Sequence, residues 1–286
     1  AKKAHIPVIL VNNGVDTDDS SLYSCMLGSD YGKQMKKAGK WLDEYLKEED
    51  EKKAEKEKAA SEAPTQEESE QTDSEDTEVN TGSSKETDSS ASIFDKIMKS
   101  SSTAKDETDS TEEEQTEEDI TIKIAAIQES IGSEEQLTRA QGYQTMLEKY
   151  SDWEMVAQQT GDNSREEAQK VMKLFLEQEP DLRVVFAESD EMALGVIDAI
   201  GEAGKTCGED GDIIVISFGG SKAGIEAVKE GKLNVTFECS PDQGPKAAEL
   251  IQRLESDISI DKKQYVEETY FDGTMDLDEI IENRTY

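Results

Sequence analysis

One imidazole and three thiols, His5, Cys25, Cys207 and Cys239, are all that this chain offers of the groups most used in metal binding and acyl transfer. A lone histidine argues against His-based metal sites and against Ser-His or Cys-His catalysis. No two cysteines have metal or redox spacing, and their odd number makes a disulfide framework unexpected. Gly219-Gly220-Ser221 could cradle a phosphate, but neither the Lys-Ser/Thr of a P-loop nor a full Gly-x-Gly-x-x-Gly accompanies it. What remains is hydrogen bonding by amide, hydroxyl, carboxylate and guanidinium groups. No nucleophile–base pair appears, so an enzyme is the least expected reading, and no catalytic residue, metal or cofactor is expected.

The polar candidates gain meaning from the elements that must hold them. Ile6-Pro-Val-Ile-Leu-Val11 is a continuous apolar run, as suits a parallel strand covered on both faces. Ser29 or Asp30 can cap the helix that follows, whose buried stripe is Met35, Ala38, Leu42 and Tyr45 or Leu46. From Ile120 onward, strand and helix patterns alternate. Strands are predicted at 121–128, 153–159, 182–187, 212–218 and 233–238. Ser133 with Gln136, and Ser164 with Glu167, have capping-box spacing. Apolar stripes at Ala168, Val171, Met172 and Phe175, and at Ala193, Val196, Ile197 and Ile200, mark two helices. A further helix runs over 221–229, and the last carries Ala247, Leu250, Ile251 and Leu254. Trp41 and Trp153 read as packing residues within these patterns.

Such alternation predicts an α/β fold with doubly wound parallel sheets. Sheets of this kind bind ligands at the carboxyl ends of their strands. The candidate loops are therefore 12–17, 129–133, 160–164, 188–190, 218–222 and 239–243. Asn12, Asn13, Ser189, Asp190 and Gln243 lie in them, and Glu238 borders the last.

The formal net charge is −36. It disfavours duplex DNA or an anionic membrane surface as a direct partner. Residues 51–118 hold 22 acids and 8 lysines, and the remaining 218 residues hold 45 acids and 23 bases. Both parts are thus acidic. Residues 60–118 are rich in Ser, Thr, Glu and Asp with Phe94 as the single aromatic, a composition expected to stay disordered. Within it, Ile93-Phe94-Asp95-Lys96-Ile97-Met98 reads as an apolar speck or a short docking motif. No apolar run is long enough for a transmembrane helix. No signal peptide is visible, and an upstream segment carrying any export signal is expected.

At the candidate loops the sequence resembles the sugar-binding type I periplasmic proteins of ABC transporters, in particular the ribose- and galactofuranose-binding ones. The resemblance is carried by Ile6 to Asp16, Ser20 to Tyr23, Gly28-Ser-Asp30, Thr138-Arg-Ala-Gln-Gly-Tyr143, Val184 to Gly195, Ile213 to Gly220 and Ala227 to Leu233. It implies two Rossmann-like lobes, the first incomplete. Residues 1–47 would end lobe one, 48–119 would be an acidic insert, 120–258 lobe two, and 259–286 a tail crossing back to lobe one.

The resemblance also implies site residues. Arg139 would point into the cleft, where its planar fork suits paired hydroxyls or a carboxylate. Asn12 and Asn13 stand where the family has Asp-Arg; they keep hydrogen-bonding capacity or are turn residues before Gly14. Ser189 and Asp190 stand for Asn-Asp, a ligand contact and an N-cap. Gly219 replaces the aspartate that grips sugar hydroxyls. Glu238 aligns with a polar position or is a hinge acid. The implied function is extracytoplasmic capture of a sugar or similar polar solute by a monomer, in the periplasm or as a cell-surface lipoprotein, that docks on ABC permease subunits. A LacI-type effector domain, an extracytoplasmic sensor domain and a module that no longer binds sugar are the alternatives.

Overall fold

Residues with alternating outward faces that are both apolar form the strands at the centre of the fold. Ile124 and Ala126 turn one way and Ala125 and Ile127 the other, and all four are fully buried. This two-sided burial needs a layer of helices on each face. The computed structural model describes residues 1–61 and 121–286, apart from 13, 16 and 18. Its larger sheet has the order β4-β3-β5-β6-β7-β9. The strands are β3 (Ile122–Gln128), β4 (Trp153–Thr160), β5 (Val184–Ala187), β6 (Ile214–Gly219), β7 (Val235–Glu238) and β9 (Tyr270–Asp272). All pairings are parallel except that of β9 with β7. A smaller, wholly parallel sheet has the order β1-β2-β8, from Ile9–Val11, Cys25–Gly28 and Lys263–Tyr265.

Helices α1 (Tyr31–Ser61) and α2 (Glu134–Lys149) cover one face of the large sheet through Met35, Ala38, Leu42, Tyr143 and Met146. The opposite face is covered by α3 (Arg165–Gln178), α4 (Asp190–Glu202), α5 (Lys222–Lys229) and α7 (Asp278–Asn283). Four serines cap the helices that leave β3, β4, β5 and β6. Ser133, Ser164, Ser189 and Ser221 accept from the backbone N–H of Gln136, Glu167, Met192 and Gly224. Each cap satisfies a donor that the helix cannot pair internally. Together they turn four helix N-termini toward the carboxyl ends of the strands.

The contact between α3 and α4 depends on Gly195. A Cβ there would lie 2.1 Å from the Arg165 carbonyl oxygen, a backbone atom. Alanine would gain about 1 kcal/mol of helix propensity. Overpacking against fixed backbone costs about 1–3 kcal/mol or more and should prevail. Urea unfolding of Gly195→Ala should therefore give a lower midpoint than the unaltered protein, and an unchanged or higher one would refute this packing.

Several expected boundaries move. Helix α1 lies on the large sheet, so the change from small to large sheet comes at Gly28–Tyr31 and not at residue 47. Residues 48–61 are helical, where an insert beginning at 48 had been expected. Glu49 is buried and pairs with Arg183, which also donates to the carbonyls of Gly211 and Asp212. Charged residues can thus anchor a helix that composition alone reads as solvated. The rest of the insert, with Ile93 to Met98, lies outside the described residues. Helix α6 (Gly244–Glu255), expected in lobe two, instead joins the small sheet, where Leu250 packs on Cys25 and Leu27. The tail does reach the small sheet at β8, but it returns to the large one at β9 and α7.

Candidate ligand-binding site

The carboxyl ends of four neighbouring strands converge on one side chain. Glu129 follows β3, Glu188 follows β5, Phe218 ends β6 with Gly219, and Cys239 follows β7. Arg139, from the second turn of α2, extends among them and is 1% exposed. Its guanidinium lies between two rings, 5.0 Å from the centroid of Tyr31 and 4.6 Å from that of Phe218. Nη1 stands 3.2 Å from Glu129 Oε1, and Nη2 donates to Cys239 Sγ at 3.6 Å. Glu188 is fixed beside Glu129, whose backbone N–H donates to its Oε2 at 3.0 Å. The Tyr143 hydroxyl donates to its Oε1 at 3.3 Å.

Burial sets the electrostatics here. It pushes the Glu188 carboxyl up to about 7, while Arg139 opposes the shift. Glu129 is raised for the same reason, again against the pull of Arg139. Burial also lifts the Cys239 thiol to about 11, so it is no nucleophile at neutral pH.

Polar capacity is left over in this region. Among the described residues, four buried side-chain atoms lack a hydrogen-bond partner: Gln128 Nε2, Arg139 Nε and Nη1, and Gln243 Oε1. The Nη1 atom is ion-paired with Glu129, but its N–H is not aligned for a bond. Native interiors pair nearly all such groups, so each unpaired buried donor or acceptor calls for a partner that the protein does not supply. Gln243 closes the link to the small sheet, donating from Nε2 to Asn12 Oδ1 at 3.2 Å. Between Gly14-Val15 and the first turns of α2, an open groove of about 700 Å³ includes Glu134, Glu135 and Thr138.

The other expected site residues fare differently. Asn12 takes a left-handed backbone, φ 69°, and sits beside Gln243. Asn13 lies outside the described residues. The hydroxyl of Ser189 serves as the cap of α4, so the capping role expected of Asp190 falls one residue earlier. The carboxylate of Asp190 is buried and accepts from Ser217 Oγ, Thr236 Oγ1 and the Ser221 N–H, which makes it a brace between strands. It also explains Gly219: a Cβ there would come within 2.5 Å of Asp190 Oδ2. Glu238 is occupied by Arg284 Nη1 at 2.7 Å and the Tyr286 hydroxyl at 2.8 Å. Burial works to raise its carboxyl, but these bonds outweigh it and hold it below the usual value. Trp153 stacks on Tyr150, and Trp41 stacks on Tyr45 and donates to Asp272, so both pack.

Three segments pass between the sheets: Gly28 to Tyr31, Glu238 to Gly244, and Tyr265 to Tyr270. Glu268 in the third accepts from Ser29 Oγ in the first at 2.6 Å and from the Ser240 N–H in the second at 2.9 Å. Gln34 donates to Glu268 and to the Glu238 carbonyl. One carboxylate thus ties all three crossings.

A two-sheet α/β framework with three crossings is the architecture of the periplasmic binding-protein fold. The chain belongs to the periplasmic binding protein domain family, whose model matches residues 110–257, more than half its length. It is 35% identical over 133 residues to the ribose import binding protein of Salmonella typhimurium, covering 46% of this chain and 43% of that protein. It is 25% identical over 143 residues to the galactofuranose-binding protein of Escherichia coli, covering 49% and 44%. The chain therefore spans under half the length of these curated relatives. The arabinose-transporter binding protein of Shewanella sp. ANA-3, solved with L-arabinofuranose, superposes with a TM-score of 0.65 at 22% identity over 100% of this chain and 74% of that one. At that identity the likeness establishes the fold.

Proposed function

We propose that this chain captures a sugar at the Arg139 cluster and serves an ABC importer as its extracytoplasmic binding component. The observation that carries this reading is that Arg139, buried beside Glu129 at the carboxyl end of β3, and Gln128, the last residue of that strand, each keep a buried donor without a hydrogen-bond partner. A sugar offers hydroxyls that both donate and accept, which matches such a set. The three tied crossings support a hinge between the two sheets, and hinge closure would give the signal to the permease subunits. Working as a monomer outside the cytoplasm follows from that role. No helix among the described residues is long and apolar enough to cross a membrane. Binding without catalysis agrees with a buried, protonated Cys239 and with relatives named as binding proteins.

Thermal unfolding with D-ribose, L-arabinose, D-galactose and D-allose tests the reading. A sugar at 100 times its Kd adds about 2.7 kcal/mol to the folded state, a rise of several degrees. At least one of the four should produce it. No rise with any sugar, together with a rise with another class of solute, would overturn the assignment.

A further inference from the structure

We propose that a cavity at the amino end of β7 binds an aliphatic polyamine. It lies at the opposite end of the large sheet from Arg139, so the proposal does not depend on sugar capture there.

The cavity holds about 300 Å³, within the size range of small-molecule sites. One wall is α1. Trp41, Glu44, Tyr45, Glu48 and Lys52 recur at helical spacing and so share the face that lines it. Glu209 and Asn234 contribute a second wall, and Tyr270 and Asp272 of β9 a third. The rings are held in place. Trp41 stacks on Tyr45 with centroids 4.9 Å apart. The Tyr45 hydroxyl accepts from Asn234 Nδ2 at 3.1 Å, and Asn234 Oδ1 accepts from the Val215 N–H at 2.8 Å. Tyr270 leans on Phe237, centroid to centroid 5.5 Å. Aromatic surface built in advance costs little to order when a ligand arrives.

Four acids and one base, Lys52, line this cavity. Lys40 pairs with Glu44. Among the described residues no lysine or arginine pairs with Glu48, Glu209 or Asp272. Asp272 is 7% exposed. Its oxygens accept from Trp41 Nε1 at 2.9 Å and from the hydroxyl and N–H of Thr274 at 2.6 and 3.1 Å. All of these donors are neutral, so the buried carboxylate still lacks a counter-charge. The acids stand on separate walls, and no group of three or more His, Cys, Asp or Glu among the described residues could hold a metal ion. Carboxylates spread between aromatic rings suit a cation that is itself spread out, with ammonium groups joined by methylenes. Glu44 and Glu48 are one helical turn apart, about 5–6 Å between Cβ atoms, which matches amines joined by a short methylene chain. The methylenes would lie along Trp41, Tyr45 and Tyr270, and an ammonium over a ring gains cation–π attraction.

The indole Nε1–H signals of the two tryptophans, Trp41 and Trp153, give a site-resolved test, and Trp153→Phe assigns them. On titration with spermidine at physiological salt, the Trp41 signal should shift along a saturable curve while that of Trp153 stays in place. Magnesium chloride at matched ionic strength should not reproduce the shift. Choline, with one charge, should bind at least about tenfold more weakly than spermidine. Glu48→Gln combined with Glu209→Gln should lower spermidine affinity about tenfold. Both side chains are exposed, so folding is spared. Glu255→Gln, an exposed acid elsewhere, should change nothing. Spermidine held elsewhere on this acidic chain would leave the Trp41 signal unmoved and overturn the proposal. So would an equal shift with magnesium, choline as tight as spermidine, or an affinity that the double variant leaves intact.

Discussion

Arg139→Ala is expected to lower affinity for the bound neutral sugar by two orders of magnitude or more. The guanidinium keeps an Nε–H with no hydrogen-bond partner in the protein, and charged hydrogen bonds in a buried site are worth about 2–5 kcal/mol when truncated. Its removal also leaves Glu129 and Glu188 without their cation, and loss of one partner of a buried pair costs about 3–5 kcal/mol of stability. Part of that cost is avoided if the two acids take up protons. Binding and folding would therefore change together, so a second variant is needed to part them. Arg139→Lys keeps the charge opposite Glu129 but loses the planar fork and the stacking between Tyr31 and Phe218. It should retain most of the stability while binding D-ribose, or whichever neutral sugar raises the unfolding temperature, at least about tenfold less tightly. Calorimetry and urea unfolding on the two variants measure both quantities. Unchanged affinity in Arg139→Lys would mean that the fork does not touch the ligand.

Glu188 governs the second large effect, which appears in the pH dependence of stability. Burial raises its folded pKa to about 7 from the carboxylate value of 4.5. An acid whose folded pKa is raised favours the native state while protonated in it. That contribution is complete below pH 4.5 and is lost as pH rises through about 7. The difference amounts to roughly 3 kcal/mol, from about 1.4 kcal/mol per pKa unit. Glu188→Gln keeps the size of the side chain and cannot ionise. Relative to that variant, the unaltered protein should lose roughly 3 kcal/mol of unfolding free energy between pH 4.5 and pH 8. Comparing the two removes the background of the many surface acids. Parallel stability curves would show that Glu188 is not buried beside Arg139 in the manner described.

Much of this was legible in the chain, and the limits have physical causes. Val184–Ala187 and most of Ile214–Gly219 declare themselves because strands covered on both faces are largely apolar, the buried Ser217 being answered by Asp190. Ser133 and Ser164 mark helix starts through cap spacing that is local in sequence. By contrast, Lys263–Tyr265 is three residues of mixed polarity at a sheet edge, with no periodicity long enough to read. The stripe Met35, Ala38 and Leu42 states that a helix has a buried face, but not which sheet receives it. Arg139 was marked by its resemblance to a family position. Glu129 and Glu188 were not, although both stand in the loops predicted at strand ends. In a chain with 67 acidic residues, two more carboxylates carry no signal of their own. Their role arises only when β3 and β5 are paired side by side.

The most direct test of the central claim is to watch the unpaired Nε–H of Arg139. The chain has five arginines, Arg139, Arg165, Arg183, Arg253 and Arg284. A side-chain nitrogen–proton spectrum is therefore simple enough to assign with Arg139→Lys. On titration with a bound neutral sugar, the Arg139 Nε–H signal should shift and its exchange with water should slow, while the other four stay in place. Saturating sugar that leaves the Arg139 signal unmoved would contradict the account.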